Sequence, residues 1–190
     1  TQFSMENIAR VGLLKMDLLG LANLTTLARA KAIILQERGT DIDLHRLPLD
    51  DPRTFKFLSA GETSGVFQLE GGGMRRYLKE LAPSNFSDLA AIIGLYRPGP
   101  KEHIPAFIQS KHGLKPIQYP HPALAEILKE TYGVIVYQDQ VLKIVQTFAG
   151  YSLGEADIVR KAMGEKIPQI MQRGRQRFIE GAVGKGFPQE

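Results

Sequence analysis

The chain has 190 residues, 43% hydrophobic and 23% charged, a composition expected of a globular chain long enough to bury a sizeable core. It has no cysteine, which excludes a disulfide framework, a thiolate zinc site and cysteine nucleophile chemistry, and its four histidines (His45, His103, His112, His121) lack metal-ligand spacing. The formal net charge of +4 decides little alone; no apolar stretch approaches the roughly 18–20 residues of a membrane span, and the first residues lack the basic and apolar regions of a signal peptide.

The first residue is Thr1 rather than an initiator Met, so we expect a fragment of a longer chain. Val11 to Asp17 reads as a short, mostly apolar strand. Leu21 to Arg38 carries helix formers, with Leu24, Leu27, Ala28, Ala32, Ile34 and Leu35 near a 3.6 spacing, and Gly39 is a natural stop. Asp50-Asp51-Pro52 offers an N-cap and a first-turn proline for a helix ending near Gly61. Gly65 to Leu69 is a second short strand candidate. Met74 to Leu81 predicts a helix ended by Pro83, and Ser87-Asp88 is read as the cap of another over Leu89 to Leu95. Tyr96-Arg97-Pro98-Gly99-Pro100 must break into a turn.

The segment 101–122 reads as loop with one short helix around Ile104–Lys111. Helices are then expected over Pro122 to Thr131 and Gln138 to Phe148, with the apolar run Val134 to Tyr137 between them and Gly150 as a stop. Ser152-Leu153-Gly154-Glu155 matches a capping box. It opens a helix that Gly164 is expected to end, and Pro168 starts another to about Ala182. The expected fold is α+β and mainly α: a helical body over 41–190, and a short strand–helix segment over 1–40 that belongs to something else.

On the strand period, Lys15 and Asp17 project from one face about 7 Å apart. A strand-end carboxylate can bind Mg²⁺ with an ammonium beside it to hold phosphate, but one Asp alone is half a site and more often caps the next helix. Glu70-Gly71-Gly72-Gly73-Met74-Arg75-Arg76 has the flexibility of a phosphate cradle but neither a dinucleotide nor a Walker pattern, so a plain helix lead-in is preferred. Arg97, held extended by Pro98, suits either an anion or a structural carboxylate. From Arg160 to Arg177 the chain carries Arg160, Lys161, Lys166, Arg173, Arg175 and Arg177 against Glu165 alone, a local excess of five charges. That is the footprint of a polyanion site or of a solvated helix face.

Taken together, these segments resemble the alpha subunits of bacterial DNA polymerase III, the C-family replicative polymerases. The resemblance rests on Leu14-Lys15-Met16-Asp17-Leu18-Leu19-Gly20-Leu21, Gly65-Val66-Phe67-Gln68-Leu69-Glu70 with Gly73-Met74, and Tyr96-Arg97-Pro98-Gly99-Pro100. It continues through Thr131-Tyr132-Gly133-Val134-Ile135-Val136-Tyr137-Gln138-Asp139-Gln140 and Gly150-Tyr151-Ser152-Leu153-Gly154-Glu155-Ala156-Asp157 to Arg160-Lys161-Ala162-Met163-Gly164.

The resemblance implies that 1–40 is the end of a palm and 41–190 a fingers domain. Asp17 matches the third metal-binding aspartate and Lys15 its companion lysine; both are expected to be catalytic, with two Mg²⁺ ions in the complete site and the other two aspartates upstream. Arg160, Lys161, Lys166 and Arg97 are expected at the incoming deoxynucleoside triphosphate, and Arg173, Arg175 and Arg177 at DNA. Where the family commonly has Arg-Arg and Gly-Lys-Lys, this chain has Arg160-Lys161 and Gly164-Glu165-Lys166, so Glu165 reverses one charge.

The implied activity is two-metal nucleotidyl transfer by the parent polymerase, with the isolated fragment inactive. Implied partners are primer–template DNA, the incoming nucleotide and, through the parent, sliding clamp, proofreading and clamp-loader subunits. The implied location is the bacterial cytoplasm at the nucleoid, with no membrane partner. A non-enzymatic nucleic-acid- or partner-binding helical domain is the rival reading. A phosphohydrolase built on Asp17 alone lacks the His and carboxylate cluster it needs.

Overall fold

A computed structural model describes residues 2–14, 16, 18–165 and 168–188. Among these every regular element is helical. The chain divides into two compact units, Thr1–Pro48 and Leu49–Glu190.

The first unit contains α1 (Met5–Arg10) and α2 (Ala22–Arg38). The strand expected from Val11 is not seen. Gly12, with φ of 83°, closes α1, and Leu13 N–H bonds back to the Ile8 carbonyl at 3.2 Å. That glycine-type helix end takes up Val11, Gly12 and Leu13 of the residues the strand reading used, while Lys15 and Asp17 lie outside the described residues. A strand also needs a neighbour for its backbone groups, and no other described segment offers one. Helix α2 follows the expected span, with Gly39 left-handed behind it and bonded to the Leu35 carbonyl at 2.9 Å. None of its residues is buried. Lys31 pairs with Asp41 at 3.0 Å within this unit.

The second unit has two packed groups of helices. The first comprises α3 (Pro52–Ser59), α4 (Gly72–Leu81), α5 (Phe86–Leu95) and α6 (Ile104–Lys111). Asp51 caps α3, accepting from Thr54 N–H at 3.0 Å, and Pro52 occupies the first turn. In α4 the buried residues Met74, Tyr77, Leu78 and Leu81 recur at i, i+3, i+4 and i+7, one face of a helix. They pack with Ile92, Leu95, Ile104 and Phe107 into a single core. Full burial of each such side chain stabilises by about 1.5–3 kcal/mol.

The second strand candidate, Gly65 to Leu69, is instead a pair of turns. Val66 N–H bonds to the Thr63 carbonyl at 3.1 Å and Leu69 N–H to the Val66 carbonyl at 3.0 Å. The buried Thr63 hydroxyl donates to the Leu69 carbonyl. The cap of α5 is Asn85, which accepts from Asp88 N–H at 2.9 Å, two residues before the expected Ser87-Asp88.

The second group holds α7 (Ala125–Leu128), α8 (Gln138–Ala149), α9 (Leu153–Glu165) and α10 (Pro168–Gly184). The single helix expected over Pro122–Thr131 is broken into α7 and tighter 3₁₀ turns at Pro122–Leu124 and Lys129–Thr131. Such turns satisfy the ends of a short helix with i to i+3 bonds.

Gln140, 4% exposed, ties the segment before α8 to α7. Its side-chain oxygen accepts from Val136 and Tyr137 N–H at 2.8 and 3.0 Å. Its amide nitrogen donates to Thr131 Oγ at 2.9 Å and the Ile127 carbonyl at 3.3 Å. Around α8–α10 the core is built from Val145, Phe148, Tyr151, Ala156 and Ala182.

Candidate functional site

Helix α9 opens with the capping box read from sequence. Glu155 Oε2 accepts from Ser152 N–H and Oγ, both at 2.9 Å, and Ser152 Oγ accepts from Glu155 N–H at 3.4 Å. This bonding, chiefly from the Ser152 backbone, holds the Glu155 carboxyl below its ordinary range. The helix passes Gly164 and continues to Glu165.

One turn into α9, Asp157 gathers two cations. Arg160 Nε and Nη2 lie 2.8 and 2.7 Å from Asp157 Oδ1. Lys161 Nζ lies 3.2 Å from Oδ2. A third guanidinium nitrogen, Nη1, donates to Gln138 Oε1 at the start of α8, at 3.1 Å. The Arg160 bond, then that of Lys161, holds the Asp157 carboxyl low. Side-chain exposures of 29% for Arg160 and 63% for Lys161 leave both cations reachable from solvent.

The arginines of α10 do not share one face. At about 100° per residue, Arg173 and Arg177 lie about 40° apart, and Arg175 projects about 160° from Arg177. Accordingly, Arg173 and Arg177 line a cavity with Glu155 and Ile158, whereas Arg175 lines another with Val145 and Met171. Arg177 is bound to Glu155 and lies 5.0 Å over the Tyr151 ring. Glu155 and Asp157 precede the window in which the basic excess is counted. Including them brings three carboxylates against the six cations, an excess of three.

An exposed, polar-tipped helix behind a second helix is common, so this geometry alone identifies little. The sequence decides it: residues 23–186 match the family described as the bacterial DNA polymerase III alpha subunit finger domain. The chain belongs to this family. It is 51% identical over 195 residues to DNA polymerase III subunit alpha of Thermus aquaticus, covering 100% of this chain and 16% of that protein. The corresponding protein of Aquifex aeolicus is 49% identical, with coverages of 100% and 16%, and that of Bacillus subtilis is 49% identical, with coverages of 98% and 17%. The chain thus spans about a sixth of the length of the curated relatives it matches.

Of the other site residues singled out from sequence, none is brought to Arg160 and Lys161 among the described residues. Lys15, Asp17 and Lys166 lie outside the described residues. Arg97 is exposed in the turn after α5, with its carbonyl accepting from Lys101 N–H at 3.1 Å. Among the described residues it has no carboxylate within 4.0 Å. Of the glycine run that opens α4, Gly73 is used for packing: a Cβ there would lie 2.2 Å from the Tyr96 hydroxyl, whereas a Cβ on Gly71 or Gly72 would meet open space. Gln138 was not singled out from sequence and had no local signal, whereas Asp157, three residues before Arg160 on one helix face, is the carboxylate the sequence offers as its structural partner, and the pair forms.

Proposed function

We propose that the chain is the fingers region of a bacterial replicative DNA-directed DNA polymerase, and that α9 presents Arg160 and Lys161 to the triphosphate of the incoming deoxynucleotide. The observation that carries this reading is the finger-domain match over residues 23–186. The cations of α9, Lys161 exposed and Arg160 partly so, are compatible with it. The Arg160 guanidinium offers a planar fork to phosphate oxygens and the Lys161 ammonium a point charge. Together they would neutralise the triphosphate and orient it for attack at the α-phosphorus, which is electrostatic positioning. Lys166 and Arg97 are placed at the nucleotide, and Arg173, Arg175 and Arg177 along the DNA, on the same reading. Of the three α10 arginines, Arg177 is the one whose charge Glu155 already engages. Primer–template DNA and the other replisome subunits follow as partners of the whole polymerase, in the bacterial cytoplasm.

The expected Mg²⁺ pair does not fit the described part of this chain. Among the described residues no three His, Cys, Asp or Glu side chains converge, and Asp17 is a single carboxylate. Lys15 and Asp17 remain proposed catalytic residues of the parent active site. With one such carboxylate, the 190-residue chain by itself is not expected to extend a primer; reproducible Mg²⁺-dependent incorporation by it would contradict this.

The test is single-turnover incorporation by the full-length polymerase carrying this sequence. Arg160→Ala should weaken nucleotide binding and slow incorporation together. Charge-assisted hydrogen bonds of about 1.5–3 kcal/mol correspond to roughly 10–150-fold. Lys161→Ala should cost less, and primer–template affinity should change little for either. A lowered melting temperature with unchanged nucleotide affinity in Arg160→Ala would return that residue to a structural ion pair.

A further inference from the structure

The two cations proposed to meet the triphosphate are already held by an anion of their own helix. Both Asp157 oxygens are used, Oδ1 by Arg160 and Oδ2 by Lys161. The guanidinium edge that would grip a phosphate, Nε with Nη2, is the edge turned to Asp157. A triphosphate binding at this edge must therefore take the place of the carboxylate or share its donors. Gln138 holds the third nitrogen of Arg160 from a different helix. Being neutral, it orients the guanidinium without competing for its charge.

We propose that Asp157 is an internal competitor for the triphosphate. It takes up Arg160 and Lys161 when no polyphosphate holds them, yields them when a nucleotide binds, and recaptures them as pyrophosphate departs. This deepens the reading of α9 as the triphosphate-facing helix and rests on it. The physical case is charge and geometry. With Asp157 ionised the trio carries one net positive charge, so nucleotide affinity is set by a difference between two anions. The pairs are intrahelical, at i+3 and i+4, and solvent-accessible. Such pairs contribute little to stability, so exchanging one anion for another is inexpensive. The same exchange would keep pyrophosphate from lingering, since the site refills from within.

The experiment uses the full-length polymerase carrying this sequence, with one correct deoxynucleoside triphosphate and inorganic pyrophosphate as probes. Asp157→Asn removes the competing charge while keeping the shape. The apparent dissociation constant for the nucleotide and the inhibition constant for pyrophosphate should each fall by about 3- to 10-fold, the scale expected for one nearby charge in a wet site. Asp157→Ser should behave alike, and Asp157→Glu should return both constants toward the wild-type values.

In an Arg160→Ala/Lys161→Ala background the tightening should be lost, as coupled groups require. Unchanged or weaker binding in Asp157→Asn would overturn the proposal and make Asp157 a positioning residue. Equal tightening with and without the two cations would also overturn it, showing simple repulsion. If Arg160→Ala and Lys161→Ala themselves leave nucleotide affinity intact, the reading of α9 fails first, and visibly apart from the competitor.

Discussion

Lys111, at the end of α6, places its ammonium 3.0 Å from the carboxylate of Asp88 in α5, with 8% and 2% of the side chains exposed. Asp88 stands with Ala91, Ile92 and Leu95 among the buried residues of α5, at i, i+3, i+4 and i+7. A carboxylate thus occupies a core position of an apolar stripe. Its Oδ2 is well matched: Ser84 donates to it from N–H at 2.9 Å and from Oγ at 3.2 Å, while the Tyr132 hydroxyl lies 3.5 Å from Oδ1. Lys111 in turn donates to the carbonyls of Leu81 and Ala82 at the end of α4, at 3.0 and 2.7 Å. One ion pair therefore joins α4, α5 and α6. Removing one partner leaves the other buried and unpaired, which costs about 3–5 kcal/mol. Asp88→Ala and Lys111→Met should each lose about that much in equilibrium denaturation. A loss below 1 kcal/mol would show that the site admits water.

Gln140 makes a similar case for a neutral group. Substitution by Met keeps the volume but leaves Val136 and Tyr137 N–H without their acceptor and Thr131 Oγ without its donor. Unsatisfied buried groups cost about 1–3 kcal/mol each. Gln140→Met should destabilise by about 2–4 kcal/mol by the same measurement. Stability near that of the wild type would mean the Val136–Tyr137 backbone finds other partners.

Gly73 and Tyr96 are coupled by space. The hydroxyl of Tyr96 occupies the place a Cβ on residue 73 would take, 2.2 Å from it, with the next ring atom at 3.3 Å. The ring has little room to retreat: it packs edge-on to Tyr77 with centroids 5.9 Å apart, and Lys101 Nζ lies 4.6 Å over it. Gly73→Ala should cost about 1–3 kcal/mol, the usual range for overpacking. In a Tyr96→Phe background, which removes the clashing oxygen, the cost should shrink by half or more. Equal costs in both backgrounds would show the strain lies elsewhere.

Features that depend on residues three or four apart were legible. Asp51-Pro52 opens α3, and Ser152 with Glu155 opens α9, because each device is complete within one turn. What was not legible depends on distant residues. Asp88 looked like a cap because carboxylates cap helices; its partner lies on another helix, and Asn85 was the nearer cap. Val11 to Asp17 looked like a strand because it is short and mostly apolar, but Gly12 ends a helix at its start. The basic count from Arg160 to Arg177 overlooked Glu155 and Asp157, one turn upstream, which engage Arg177, Arg160 and Lys161. Family motifs carried the functional reading, and composition would not have reached it.

The opening of α9 should respond to acid. Glu155 is held below its ordinary range first by the Ser152 backbone bond, with Arg177 adding to it; Asp157 is held low first by Arg160. A carboxylate whose value is lowered by folding binds its proton more readily in the unfolded chain. Its contribution is therefore fully present above the unfolded value, about 4 for these groups, and is lost as pH falls through the lowered folded value. Melting temperature should not change on account of these residues from pH 8 down to about pH 5 and should decline below that. Glu155→Gln cannot be deprotonated and loses the charge-assisted bonds to Ser152 and Arg177. It should melt below the wild type at pH 7, and the difference should close as pH approaches 2, where Glu155 is protonated as well. Thermal melts of both proteins across that range check it. A deficit that stays constant down to pH 2 would mean the glutamate acts through its shape, and one that closes already at pH 6 would point to a histidine instead.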